Sequence, residues 1–187
     1  MDPVPLQPLP NFDLLTSEIE AYELFIAGYI GSIVRAGRGI PDDKWNWSFS
    51  ERTPSAREIC EHTYMWLLCD RQQMTEPDRS KHLPTADLPA DKESMLQLLY
   101  NEACIWQNLV RAMTPDQLNQ ELVPWEGEKR TVRSFLFHMA QNIIYKSGQI
   151  RMIHFELGLD GDGPYNAPYP DQYYDFAETL PWPSPRG

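Results

Sequence analysis

The chain has 187 residues, 42% of them hydrophobic and 23% charged, which suits one folded domain with a substantial core and argues against disorder. Its net charge of −11, with the 16 basic residues scattered along the chain, opposes binding to phosphate backbones and anionic bilayers, so neither nucleic acid nor membrane is an expected partner. No apolar run approaches the ~20 residues that span a bilayer. The start, MDPVPLQPLP, lacks the basic and apolar regions of a secretory signal, and the cytoplasm is the expected compartment. Cys60, Cys69 and Cys104 are odd in number, have no CxxC spacing and sit in apolar helical contexts; buried reduced thiols are expected rather than a disulfide framework.

In chain order, residues 1–10 carry four prolines and read as an extended arm. A first helix follows from about Asn11, with apolar positions including Leu15, Ile19, Tyr22, Ile26, Ile30 and Ile33 at helical spacing. Gly37, Gly39 and Pro41 read as its stop signal. The loop PDDKWNWSFSERTP carries Trp45 and Trp47, read as a lid over one end of the fold. A second helix is capped by Thr53 with Pro54, or by a Ser55/Glu58 capping box, and places Ile59, His62 and Trp66 along one face. After a Pro-rich connection, a third helix spans about Asp91 to Met113, and TPDQL adds one turn. ELVPWEGEKRTV reads as an extended excursion or small hairpin, after which Thr131 caps a fourth helix that Gly158 ends. Residues 161–187 hold six prolines and an aromatic set including Tyr173, Tyr174, Phe176 and Trp182; this tail is expected to dock on the bundle or on a partner subunit. Four amphipathic helices without a strand run predict an all-α four-helix bundle over residues 11–160, with long connections, the first and third of which are candidate site covers.

Gly-rich phosphate loops, HExxH, nucleophile elbows and Cys-based zinc patterns are absent from the sequence. What remains is His62 on the second helix and, on the fourth, His138, Asn142 and Lys146 at four-residue steps, which places these three on one face. Bundles build metal sites by projecting ligands inward from facing helices; one imidazole facing two nitrogen ligands spaced i, i+4 would leave an open position. His154, near the end of the fourth helix, is read as a favourable interaction with the helix dipole.

The segments KWNWSFS, SAREICEHTYMW, WEGEKRT and KSGQIRMI, in this order, resemble the DinB/YfiT-like four-helix bundles over roughly residues 12–160. The resemblance implies a divalent metal held by one histidine on the second helix and two on the fourth. Registered on Gly148-Gln149-Ile150, the last two fall on Asn142 and Lys146, while His62 matches the first. One of three nitrogens is left, so no metal or other cofactor is expected. An ammonium has no lone pair, and an amide oxygen is a weak neutral ligand. Two readings of the row stand. In one, the Lys146 ammonium fills the metal position, with His62, Asn142 and Glu58 as partners and Trp66 and His138 nearby, and the pocket takes a small anion. In the other, His138, Asn142, Lys146 and Gln149 are the solvated flank of a helix whose core stripe is Leu136, Met139, Ile143 and Ile150, and His62 is a core histidine between Ile59 and Trp66. The implied function is a diverged small-molecule binding or interaction module, a homodimer by the resemblance, that has lost the metal and any metal-dependent activity. The alternative is a metal-dependent thiol S-transferase, isomerase or hydrolase using Ni²⁺, Zn²⁺ or Mn²⁺ at a rearranged site of His62 and His138.

Overall fold

The computed structural model describes residues 15–84, 88–122, 127 and 129–159. The N-terminal arm, the tip of the WEGE excursion at 123–126 and the aromatic tail at 161–187 lie outside them.

Ser17 opens the first helical element, its Oγ accepting from Glu20 N at 3.2 Å. The element is α1 (Glu18–Glu23), a π-helical turn (Leu24–Gly28) and α2 (Tyr29–Gly39) in unbroken succession. The π turn falls where Tyr22, Glu23, Leu24, Ile26, Ala27 and Gly28 are all buried. The wider turn inserts an extra residue and shifts the helix phase, so Glu23 faces a neighbouring helix while Ile26, Ile30 and Ile33 stay in the core. The helix ends at Gly39, within the stop signal read from the sequence, with Ile40 extended ahead of Pro41; Gly37 and Gly39 are themselves still helical. Their role is close approach: a Cβ at Gly37 would lie 2.6 Å from Leu96 Cδ2, and one at Gly39 2.8 Å from His154 Cε1.

The Ser55/Glu58 capping box, and not Thr53, opens α3 (Ala56–Thr75), with Ser55 N donating to Glu58 Oε2 at 2.8 Å and Glu58 N to Ser55 Oγ at 3.2 Å. Ahead of it, Trp45 is buried in the core and Trp47 packs against it; Arg57 N donates to Trp45 O at 3.1 Å, which ties the loop to the first turn of α3. Asp91 caps α4 (Lys92–Arg111). A 3-10 turn (Gln117–Asn119) buries Leu118, and β1 (Glu121–Leu122) pairs antiparallel with β2 (Arg130–Thr131), Glu121 opposite Thr131. Thr131 then caps α5 (Val132–Glu156), which Gly158 ends at φ +67°.

The α2 helix packs on α4 and α5, and α3 packs on the same two helices. Successive helices of the chain are thus diagonal (α2 to α3), adjacent (α3 to α4) and diagonal again (α4 to α5). This accounts for the long first and third connections: each must cross a bundle end. Between the four helices lie Ile30, Ile33, Ile59, Leu67, Met95, Leu99, Trp106, Leu136, Met139, Ile143 and Ile150, all buried. Cys60 and Cys104 are buried and Cys69 partly so, none of them in a disulfide. No helix of the described residues is long and apolar enough to cross a membrane.

Candidate functional site

The side of α3 that meets α5 brings His62 and Trp66 to the edge of α5 that carries Asn142, Lys146 and Gln149. His62 is exposed and so is not a core histidine. One turn on, Trp66 Nε1 donates to His62 Nε2 at 2.9 Å, and the rings stand edge-on at 6.0 Å. An imidazole accepting at Nε2 is neutral, with its proton on Nδ1. Partial burial, and after it the Lys146 cation, push the His62 pKa below its ordinary value of 6.5, in keeping with that state.

Lys146 is half-buried, and burial lowers its pKa from the usual 10.5. Its Nζ stands 5.7 Å from the centre of the Tyr145 ring, and it forms no ion pair with a carboxylate of the described residues. It does not enter the bundle: Ser147 takes the inward position and its Oγ donates to Ser32 Oγ at 3.2 Å. Asn142 Nδ2 donates to the exposed His138 Nε2 at 3.0 Å, so His138 turns along its own helix rather than toward His62. Glu58 is spent on the capping box, its Oε2 also accepting from Ser55 Oγ at 2.9 Å, and these bonds hold its carboxyl below the usual range. It is therefore not the counter-charge of Lys146. Gln149, which one sequence reading placed on a solvated flank, instead buries its Oε1 without a hydrogen-bond partner among the described residues, one turn beyond Lys146 on the same edge. His154 is also corrected: it is buried, and its Nε2 donates to Ala36 O across the α2–α5 contact, a tertiary bond rather than a dipole effect alone.

No protein-family model and no curated protein matches the chain. Solved structures do. A DinB-like protein of Bacillus subtilis, YjoA, superposes with a TM-score of 0.61 at 17% identity, over 77% of this chain and 95% of its own. YfiT of Bacillus subtilis, described as a probable metal-dependent hydrolase with an unusual four-helix bundle topology, gives a TM-score of 0.61 at 14% identity over 81% and 94%. The fold is that of the DinB-like four-helix bundles.

On this DinB-like frame the residues at the implied metal position do not suit a cation. The His62 Nε2 lone pair is occupied by Trp66, that of His138 Nε2 is occupied by Asn142, and Lys146 brings a like charge. Among the described residues, no three His, Cys, Asp or Glu side chains gather as a metal-holding group.

The pairing of His62 with Lys146 has a direct readout. In an NMR titration the His62 ring should protonate below its ordinary value of 6.5 and move up toward it in Lys146→Met, though only part-way, because burial is the larger cause. With its folded value below the unfolded one, His62 favours the fold above pH about 6.5, and that contribution is lost as pH falls through the folded value. An unchanged His62 titration in the variant would separate the two groups.

Proposed function

We propose that the chain is a diverged DinB-like module in which the Lys146 ammonium stands in for the metal and binds a small carboxylate in the groove between α3 and α5. The observation that carries this reading is a half-buried cation without a carboxylate partner among the described residues, beside a neutral imidazole. A partly desolvated charge lacking a counter-ion is unfavourable, and an anionic ligand offsets it. Trp66, 43% exposed, offers an aromatic surface for an aryl or short-chain body, and the buried Gln149 Oε1 offers an acceptor for a ligand N–H or O–H. The module binds and does not activate a thiol through a metal, since that chemistry needs the imidazole lone pairs that Trp66 and Asn142 occupy. Free cysteines fit a cytoplasmic setting.

Calorimetry with benzoate and short dicarboxylates tests the reading. Binding by the full chain should weaken at least ~10-fold in Lys146→Met, a loss of about 1.4 kcal/mol, and be partly retained in Lys146→Arg, which keeps the charge. Titration with Ni²⁺, Zn²⁺ or Mn²⁺ against a His62→Ala control supplies the opposing outcome. Stoichiometric metal lost in that control would overturn the proposal in favour of the activity named for YfiT, with His138 recruited as a ligand.

A further inference from the structure

Two contacts fix the direction of the groove between α3 and α5. Gly39, at the end of α2, meets His154 near the end of α5, and the chain soon afterwards ties Trp45 to Arg57 in the first turn of α3. So α3 begins where α5 ends, and the two helices run antiparallel along their contact. His62 stands within reach of the Lys146 charge. From that level Trp66 lies one turn, about 6 Å, toward one end of the bundle, and Gln149 lies about 4.5 Å toward the other. An exposed indole, an ammonium and a carboxamide oxygen therefore follow one another along the groove.

Each of these groups lacks something. Lys146 has no carboxylate partner among the described residues. The Trp66 ring is held by its bond to His62, yet much of it faces solvent. Gln149 Oε1 is buried and receives no hydrogen bond from the described residues, and a buried acceptor left without a donor is costly.

Resting on the carboxylate reading of this groove, we infer that its ligand is an aromatic 2-hydroxy acid, bound as one enantiomer, with the ring on Trp66, the carboxylate on Lys146 and the hydroxyl donating to Gln149 Oε1. The order of the groups decides the class. Seen from Trp66, Gln149 lies beyond Lys146, so the donor belongs on the carboxylate side of the ligand. A hydroxyl on the ring would stay beside Trp66 and leave the acceptor unmatched. The step of about 4.5 Å from Lys146 to Gln149 suits a donor on the carbon next to the carboxyl group. A 2-amino acid fails on charge: its ammonium would stand beside Lys146, while Glu58 is engaged in the capping box and Glu61 with Arg57. An N-acyl amino acid keeps a neutral donor but puts its acyl group where the acceptor is itself buried. The hydroxyl is the smallest neutral donor that fits.

Handedness follows from the same placement. Trp66 is on α3 and the other two groups are on α5, helices about 8–10 Å apart, so the three contacts form a triangle. The bundle closes one side of it. Only one enantiomer presents carboxylate, hydroxyl and arylmethyl group to that triangle from the open side.

Calorimetry of the full chain tests this with both enantiomers of 3-phenyllactate, with 3-phenylpropionate, which lacks the hydroxyl, and with phenylalanine. One enantiomer should bind at least ~5-fold tighter than 3-phenylpropionate, the increment of one hydrogen bond, and tighter than its mirror image by a similar factor. In Gln149→Met both ratios should fall to about one. Each ratio is taken within one variant, so a general loosening of the groove cancels. Acids that bind and are lost in Lys146→Met, but show neither preference, overturn the inference and leave the carboxylate reading standing. No binding by any of the acids overturns both. A hydroxyl preference that survives Gln149→Met overturns the assignment to Gln149, and phenylalanine binding as tightly as the favoured phenyllactate overturns the 2-hydroxy class.

Discussion

Trp106→Ala should cost the fold about 3–5 kcal/mol, read as a fall in the denaturation midpoint at constant slope. Trp106 is fully buried in the C-terminal half of α4, and its Nε1 donates to Leu67 O at 3.2 Å, spanning to α3. Truncation removes the largest fully buried side chain of the described residues and leaves a cavity that four close-packed helices close only in part. Against a total of about 5–15 kcal/mol for a domain, that is a large fraction. Trp106→Phe keeps most of the volume and should lose about 1–2 kcal/mol, much of it from the hydrogen bond. Trp66→Ala is the matched control: that ring is 43% exposed, and its loss should cost less than about 1 kcal/mol in the monomer. Equal costs for the two tryptophans would contradict the division of α3 and α4 into core and solvent faces.

Sequence alone did not separate these two tryptophans, because which face of a helix meets the core is set by packing between segments distant in sequence. Caps are short-range chemistry, so Ser55/Glu58 and Thr131 were readable from neighbouring residues, as was the core stripe Leu136, Met139, Ile143 and Ile150. The π turn was not, because YELFIAG is apolar nearly all round and carries no phase to contradict an ordinary helix. The close approaches at Gly37 and Gly39 were not legible because their partners, Leu96 and His154, are distant in sequence. The resemblance to DinB-like bundles held at the level of the fold.

At the candidate site, the i, i+4 row gave the membership of one α5 edge, but its direction depends on where α3 packs. That packing sets Lys146 beside His62 and leaves His138 bonded to Asn142 instead. The role of Glu58 was within reach of sequence. A carboxylate that closes a capping box is not free to neutralise a lysine on another helix, and both duties had been read from the same residue.

The second large effect concerns Glu23, at the start of the π turn and only 3% exposed. Its carboxylate accepts from Gln107 Nε2 at 2.9 Å and from Arg111 in a bidentate pair, with Nε at 3.1 Å and Nη2 on the other oxygen. A buried carboxylate is tolerable only while these donors replace its hydration. Arg111→Met should therefore cost about 3 kcal/mol, the low end for breaking such a pair, because the Arg111 side chain itself is 39% exposed. Most of that loss comes from the stranded charge and not from the missing attraction. Adding Glu23→Gln should consequently recover roughly half of it, so the double variant is more stable than Arg111→Met alone. Additive costs in this cycle would mean that water reaches Glu23 once the guanidinium is gone. The π turn would then be held by its apolar neighbours rather than by the tie from Glu23 to α4.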